Sequence, residues 1–262
     1  MTLAPAQESQ TPADLELEAY AVFFDFDGTL VDIAPTPGAV IVPQNLGPDL
    51  VALSRRTGGA LAILSGRRIG DIDRMLEPHR LDVAGVHGNE VRIGSRLLRC
   101  GPETPEIGVA ARQIGERLGG LPGIVVEDKA FSVAVHWRLA PELEPQILAL
   151  MSEVARDLGS AYRLQPGKCV VEIIGRTASK GAAMRTMLSL QQYRQRRPIV
   201  FGDDLTDETA FRSANEMGGI SVRVGEGPTA ARFQLPSAQS LRIELATWAA
   251  GGPLRSEWEA MA

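Results

Sequence analysis

Short apolar runs alternate with amphipathic segments along the first hundred residues. The run Ala21-Val22-Phe23-Phe24 has the length of a buried strand, and a second apolar run covers residues 60–64. Residues 48–57 and 68–77 show helical periodicity, and the segment "DVAGVHG" has the pattern of a third strand. This β-α-β-α-β order predicts a parallel sheet with helices on its faces, and such sheets bind ligands at the carboxyl ends of their strands.

The same pattern returns near the C-terminus, where "RPIVFGDD" predicts a strand that ends in acids, followed by a helix in "LTDETAFRSAN" and a strand in "GISVRVG". The middle of the chain differs. "EVRIGSRLLRC" and "AYRLQPGKCVVEII" have hairpin patterns, residues 106–119 and "PELEPQILALMSEVARDLG" have helical ones, and "GIVVEDKAFSVAVHWR" contains two β-rich runs.

These patterns predict an α/β fold with a Rossmann-like parallel core and a smaller inserted α/β domain that covers it. We expect the core to comprise residues 18–103 and 178–250, and the inserted domain to comprise residues 104–177. Residues 1–17 and 251–262 are expected to be loose termini, because polar, Pro-containing chain ends are seldom tied down.

Composition excludes several classes of function for this chain of 262 residues. The net charge of −5 gives no basic footprint for nucleic acid or for an anionic membrane, and no apolar run has the length of a membrane span. The N-terminus lacks the basic and apolar regions of a signal peptide. Cys100 and Cys169 lie far apart without ligand-like spacing, so we expect reduced, inert thiols and a cytoplasmic location.

Five aspartates follow two of the predicted strands. Asp25 and Asp27 precede a Gly-Thr pair, whereas Asp203, Asp204 and Asp207 lie in "GDDLTDE". Turn formation and helix capping account for one or two aspartates, but not for five at two strand ends. Carboxylates that converge in one crevice repel one another unless a cation neutralises them, and hard oxygen ligands point to Mg²⁺.

A magnesium site built from carboxylates suits phosphate chemistry, in which a carboxylate can be the nucleophile and form an aspartyl-phosphate. Ser65 and the Gly66 amide follow a strand in "AILSGRR", where they can hold an anion. Lys180 begins a predicted helix and suits a point-charge role on phosphate or aspartate. Each signal alone has an ordinary structural explanation, but the ordered set at element boundaries favours a phosphate site.

The inserted domain carries polar residues on its predicted strands. Residues two or four apart on a strand face the same side, which pairs Glu127 with Lys129, His136 with Arg138, and Lys168 with Glu172. A solvated sheet face with cross-strand ion pairs is one explanation. The other is a binding face for a polyol, whose hydroxyl groups need both donors and acceptors.

The ordered set "DFDGTL", Ser65, Lys180 and "GDDLTD" resembles the four motifs of the haloacid dehalogenase (HAD) superfamily of phosphohydrolases. The resemblance implies that Asp25 is the nucleophile and that Asp27 is the general acid. It implies a Mg²⁺ ion bound by Asp25, the main-chain carbonyl of Asp27 and Asp203, with Asp204 or Asp207 supporting it from nearby. The inserted domain resembles the α/β cap of this superfamily.

The segments "GVHGNE", "VEDKAFSVAVHWR", "PGKCVVEI", "SKGAA" and "GDDLTDETAF" are similar to the motif set of trehalose-6-phosphate phosphatases. This resemblance covers nearly the whole chain and places Arg67 near the phosphate. It implies that the sugar and its phosphate are bound by cap residues Glu127, Lys129, His136, Arg138, Lys168 and Glu172.

The sequence therefore predicts a magnesium-dependent phosphatase that hydrolyses trehalose 6-phosphate to trehalose and phosphate through an aspartyl-phosphate. One alternative is a related phosphatase of another sugar phosphate. The other is a non-catalytic sugar-phosphate sensor that partners a trehalose-6-phosphate synthase, to which the resemblance suggests a functional link. The acid at Asp27 favours catalysis, because a protein that only binds has no need of it.

Overall fold

The computed structural model describes residues 17–99, 105–254 and 258–260. The strands are β1 Tyr20–Phe24, β2 Leu61–Leu64, β3 Asp82–Gly85, β4 Glu90–Ile93, β5 Arg96–Arg99, β6 Val125–Asp128, β7 Val133–His136, β8 Tyr162–Gly167, β9 Val170–Gly175, β10 Arg197–Gly202, β11 Ile220–Val224, β12 Phe233–Leu235 and β13 Glu259–Ala260. The α-helices are α1 Leu46–Arg56, α2 Ile69–Leu76, α3 Pro105–Leu118, α4 Glu144–Asp157, α5 Lys180–Leu188, α6 Glu208–Glu216 and α7 Ala238–Ala249.

The larger of two sheets has the strand order β13-β12-β11-β10-β1-β2-β3-β4-β5. Its strands from β12 to β3 pair in parallel, and β13, β4 and β5 are antiparallel additions at the edges. The parallel strands β1, β2, β10 and β11 occur along the chain where the apolar runs predict them. Because β1 lies between β10 and β2, the residues that follow these three strands meet at one edge of the sheet.

Strand β1 is buried on both faces, and its side chains divide between two hydrophobic layers. Val22 and Phe24 pack with α1, α2 and α7, whereas Ala21 and Phe23 pack with α5 and α6. The alternation follows from the two-residue repeat of a strand, and the continuous apolar run follows from helices on both faces. This double packing fixes the position of Asp25, the next residue in the chain.

The smaller sheet is antiparallel with the order β6-β7-β9-β8. One face packs on α3 and α4 through a separate core that includes Val133, Val135, Val171 and Ile173. The other face bears a row of residues in register, namely Glu127, Ala134, Glu172 and Gln165. Hence Glu127 and Glu172 lie on the side without helices.

The C-terminal segment differs from the expectation that residues 251–262 are loose. Leu254 and Trp258 are buried, and β13 pairs antiparallel with β12. The Trp258 ring lies edge-on to Phe201, 5.6 Å between centroids, and 5.8 Å from the ring of Phe233. The large apolar surface of the indole accounts for this attachment, which outweighs the polar composition around it.

The other terminal prediction falls mostly on residues 1–16, which lie outside the described residues. Leu17 is buried at the start of a short 3₁₀ turn, Leu17–Ala19. Cys169 is a free thiol, whereas Cys100 lies outside the described ranges. None of the helices in the described part of the chain is long and apolar enough to cross a membrane.

Candidate active site

Three buried carboxylates meet where β1 and β10 end. Asp25 follows β1, Asp203 follows β10, and Asp207 lies one turn further, immediately before α6. One oxygen from each of these three side chains lies within 4.8 Å of the others. Parallel pairing of β1 with β10 brings the first two acids together, as the strand-end pattern predicts.

Lys180 holds two of these carboxylates from the first turn of α5. Its Nζ atom lies 2.5 Å from Asp25 Oδ1 and 2.7 Å from Asp207 Oδ1. The second oxygen of Asp207 accepts backbone hydrogen bonds from Asp203 and Asp204, at 3.1 Å and 3.0 Å. Asp207 therefore shapes the turn that carries Asp203 and Asp204.

Gly28 explains why "DGT" needs a residue without a side chain. Its φ is +86°, and a Cβ atom there would lie 2.3 Å from Oδ2 of Asp203. Thr29, the next residue, places its hydroxyl 3.4 Å from both Asp25 and Asp203. The loop after β1 thus passes close against the second acid without displacing it.

Burial and mutual repulsion make the acid cluster electrostatically demanding. Burial raises the pKa of Asp25 well above its usual range, and the charge of Asp207 raises it further while Lys180 opposes. The pKa of Asp203 is raised by the same two causes. Burial acts to lower the pKa of Lys180, but the surrounding carboxylates dominate and raise it, so Lys180 remains an ammonium.

The donor set fits a hard divalent cation. All three side chains offer carboxylate oxygens, and they are buried close together, so a cation there would relieve their repulsion and stabilise their ionised forms. Asp204 lines the same cavity, whereas the carboxylate of Asp27 points to Arg67 instead of joining the cluster. This geometry agrees with a role for Asp27 in which its side chain is not a metal ligand.

Arg67 forms a two-pronged ion pair with Asp27. Its Nε and Nη2 atoms lie 2.6 Å and 2.8 Å from the two carboxylate oxygens, and Nη2 also donates to the Pro37 carbonyl at 3.0 Å. The Ser65 hydroxyl accepts a hydrogen bond from the Arg67 backbone N–H at 3.1 Å. Ser65 is buried, and its own hydroxyl proton remains available to another acceptor.

The smaller sheet contributes a polar cluster centred on Glu172. Lys129 Nζ lies 3.1 Å from Glu172 and 3.6 Å from Glu127, and Ser132 donates a short hydrogen bond to Glu172. His136 Nε2 lies 3.1 Å from Glu127. Burial acts to raise the pKa of Glu172, but Lys129 and its hydrogen-bond donors dominate and hold it far below its usual range, so Glu172 is ionised.

Lys168 connects the two sheets from the turn between β8 and β9. Its Nζ atom lies 2.6 Å from Asp203 Oδ2 and 3.2 Å from the Asp203 carbonyl. Arg138 braces the turn by donating to the Lys168 carbonyl at 2.7 Å. The smaller sheet thus places the Lys168 ammonium group against the acid cluster.

Twelve of the fourteen residues predicted for the site line a single cavity between the two sheets. They are Asp25, Asp27, Arg67, Glu127, Lys129, His136, Arg138, Lys168, Glu172, Lys180, Asp203 and Asp204. Ser65 and Asp207 do not line it, but each contacts a residue that does. One premise of the prediction, that each pair shares one strand, is wrong. Strands β6 and β7 end at Asp128 and His136, and β9 begins at Val170, so Lys129, Arg138 and Lys168 reach the cavity from loops.

Residues 23–239 match a family model described as trehalose-phosphatase. The chain belongs to the trehalose-phosphatase family. A probable trehalose-phosphate phosphatase of Sinorhizobium fredii is 38% identical over 229 residues, 87% of this chain and 86% of the relative. Trehalose-6-phosphate phosphatase of Escherichia coli K12 is 38% identical over 230 residues, 87% and 85% of the two chains.

A solved structure described as a trehalose-6-phosphate phosphatase related protein shares the fold with a TM-score of 0.75 and 27% identity. The match covers 87% of this chain and 96% of that one. Membership of the trehalose-phosphatase family confirms the predicted resemblance, and the predicted α/β fold class and enzyme class of phosphoric monoester hydrolase are confirmed with it.

Sequence reasoning missed several residues that line the cavity of this trehalose-phosphatase family member. Gln165 faces it because it pairs with Glu172 across β8 and β9, a register that the sequence does not specify. Ile33, Pro35 and Val40, in the loop after β1, give it an apolar wall. His87 was accessible to prediction, because it follows β3 at the same edge of the sheet as Ser65.

Proposed function

We propose that this protein is a magnesium-dependent phosphatase that hydrolyses trehalose 6-phosphate to trehalose and inorganic phosphate. The observation that carries the proposal is one cavity with two unlike halves. Its floor has the buried acids and Lys180, and its roof has the donors and acceptors around Glu172. A floor of that kind suits a phosphoryl group, and a roof of that kind suits a polyhydroxylated leaving group.

In the proposed reaction, an Asp25 oxygen attacks phosphorus, and the bond between phosphorus and the sugar oxygen breaks. The Asp27 carboxyl group donates its proton to that sugar oxygen, which leaves as a hydroxyl of trehalose. Asp27 then accepts a proton from water as the water attacks the aspartyl-phosphate. The second step releases phosphate and restores Asp25, so protons and charges balance over one turnover.

The phosphoryl oxygens need donors throughout both steps. We assign the Ser65 hydroxyl, the Gly66 amide and the Lys180 ammonium to this task, since preorganised donors stabilise charge that develops in the transition state. In the structure Arg67 holds Asp27 as a carboxylate through its two-pronged contact. In the proposed reaction the Arg67 guanidinium turns to a phosphate oxygen, which frees Asp27 to carry the proton that it donates. Asp25, the Asp27 carbonyl and Asp203 would hold Mg²⁺, with Asp204 and Asp207 beside them. When bound, the ion withdraws charge from the phosphoryl oxygens and screens the approach of Asp25.

We propose residues 104–177 as a cap on a core formed by residues 18–103 and 178–250. The cap recognises the sugar through Glu127, Lys129, His136, Arg138 and Glu172, and Lys168 moves to the phosphate when substrate and metal occupy the floor. The family membership and the relatives named as phosphatases of trehalose phosphate support this substrate over other sugar phosphates.

A panel of sugar phosphates assayed for phosphate release tests the proposal. We expect magnesium-dependent release that is fastest from trehalose 6-phosphate. Faster release from another sugar phosphate would favour a related phosphatase. Binding of sugar phosphates without release would instead favour the non-catalytic sensor that partners a trehalose-6-phosphate synthase.

A further inference from the structure

The His87 side chain lies between the segment that carries Ser65 and Gly66 and the polar cluster of the smaller sheet. It follows β3, and its backbone N–H donates to the Ser65 carbonyl at 3.0 Å. The preceding N–H, of Val86, donates to the Arg67 carbonyl at 2.9 Å. The His87 ring lies against Gly66, where an added Cβ atom would lie 3.0 Å from Nε2.

The other side of this turn packs on the helix that carries Lys180. Gly88 has a φ of +99°, and a Cβ atom there would lie 2.7 Å from Cβ of Ala183 on α5. Asn89 closes the turn by donating its side-chain amide to the Val86 carbonyl at 3.0 Å. The turn of residues 85–89 is therefore wedged between the two segments that supply Ser65 and Lys180.

From this wedge the His87 ring reaches the smaller sheet. His87 Nε2 lies 3.2 Å from Glu172 Oε2, and both side chains are buried. An ionised carboxylate only accepts hydrogen bonds, so Nε2 must carry the proton and donate it. Lys129 and Ser132 complete the donors around Glu172, and both belong to the smaller sheet's side of the cavity.

We propose that His87 is a positioning residue that ties the cap to the core and sets Glu172 over the bound substrate. It acts through Glu172, while its backbone holds the Ser65 segment. The proposal rests on the proposed function, because it assumes that Glu172 binds the sugar. A purely structural His87 would instead support the fold of the core without affecting the choice of substrate.

Three substitutions at His87 separate these readings. His87→Gln places an amide nitrogen close to the position of Nε2 and keeps a donor for Glu172. His87→Asn suits the left-handed backbone at this position, where φ is 53°, but its amide is too short to reach Glu172. His87→Ala removes the donor altogether, and His87→Asn repeats its test if that variant does not fold.

The measurement is kcat/KM in magnesium for trehalose 6-phosphate and for a small aryl phosphate that lacks the sugar. Loss of a hydrogen bond to a buried charge predicts that Asn and Ala lower kcat/KM for trehalose 6-phosphate by about 10- to 100-fold, while Gln stays within roughly fivefold of the wild type. The value of kcat/KM for the aryl phosphate should fall much less. The ratio of kcat/KM for trehalose 6-phosphate to kcat/KM for the aryl phosphate should therefore fall. In a Glu172→Ala background, His87→Asn should cause no further change in this ratio.

The controls keep this proposal apart from the proposed function. A wild type that does not hydrolyse trehalose 6-phosphate would end the proposed function before any variant is compared. If the wild type is active, an unchanged ratio in the Asn variant, an equal fall on both substrates, or a Gln variant as impaired as Asn would each overturn the role of His87.

Discussion

Asp25 must be ionised to act as the proposed nucleophile although it is buried, and the residues around it determine its charge. Burial and Asp207 favour its neutral form, whereas Lys180 favours the charged form. Lys180 contacts both carboxylates, so it partly offsets the repulsion between them. A bound cation would favour the carboxylate form of Asp25 further, so the charge of the proposed nucleophile would depend on the metal.

Replacing Asp25, the proposed nucleophile, gives the simplest test at this scale. Asp25→Asn should abolish turnover of trehalose 6-phosphate, because an amide cannot attack phosphorus and the site keeps its shape. Phosphate release is the measurement, with Asp32→Asn as the control, since Asp32 is exposed and pairs with Arg242. Near-normal turnover in Asp25→Asn would contradict the aspartyl-phosphate mechanism.

The metal prediction concerns Asp203. Chelation should remove activity and added magnesium should restore it, whereas Asp203→Ala should raise the magnesium requirement sharply or abolish activity. Magnesium should also raise the thermal midpoint of the wild type, because a ligand that binds only the native state stabilises it. Asp157→Ala, at an exposed position that ends α4, is the matched control and should change neither quantity. Full activity in a metal-free sample would rule out the magnesium site.

At the scale of elements, the smaller sheet is divided by the alternation of its strands. Val171 and Ile173 of β9 face α3 and α4, so Glu172 between them must face the cavity. The surface-charge alternative predicted from sequence does not describe Glu172, which is buried and bonded to His87, Lys129 and Ser132. A buried carboxylate with this many donors suits a preorganised acceptor for sugar hydroxyls.

Glu172→Ala should therefore weaken recognition of the sugar while leaving the chemistry on the phosphate almost unchanged. We expect turnover of trehalose 6-phosphate to fall by about 10- to 100-fold through loss of remote binding energy, with a much smaller effect on an aryl phosphate. Glu153→Ala is the control, because this exposed residue of α4 pairs only at the surface with Arg117. Equal losses on both substrates would assign Glu172 to folding or to core chemistry instead.

The C-terminal segment supplies a prediction about stability. Trp258 is 3% exposed and packs on Phe201, Phe233 and Trp248. Trp258→Ala should lower the free energy of unfolding by about 3 kcal/mol, because buried aromatic residues leave large cavities. Urea unfolding measures it, and Ile243→Ala, at an exposed position of α7, should stay within about 0.5 kcal/mol. A loss below 0.5 kcal/mol for Trp258→Ala would mean that this segment does not pack as described.

At the scale of the whole molecule, the features that depend on the pattern of neighbouring residues could be predicted from the sequence. The meeting of Asp25 and Asp203 could be predicted because parallel strands end at the same edge of a sheet. The continuous apolar run of β1 is the pattern expected of a strand with helices on both faces. Gln165 was missed because its neighbours depend on strand register. Trp258 was missed because its burial depends on packing between segments distant in the chain.

The contacts between the two sheets could also not be predicted from the pattern of neighbouring residues. Lys168 reaches Asp203, and His87 reaches Glu172, across 35 and 85 positions of the chain. Spacing within each segment identified candidates such as Lys168, but only the tertiary arrangement decides which of them meet. These contacts bring the two halves of the cavity together, so we propose that both halves act on one substrate.

The most direct measurement of that claim compares kcat/KM for trehalose 6-phosphate with kcat/KM for glucose 6-phosphate. The two substrates carry the same phosphate on the same kind of carbon and differ by the remote glucose unit. If the roof reads that unit while the floor removes the phosphate, the disaccharide should be preferred by at least about 100-fold, the factor that about 2.7 kcal/mol of differential binding produces. Equal values for the two substrates would contradict the account, because the residues around Glu172 would then contribute nothing to the choice of substrate.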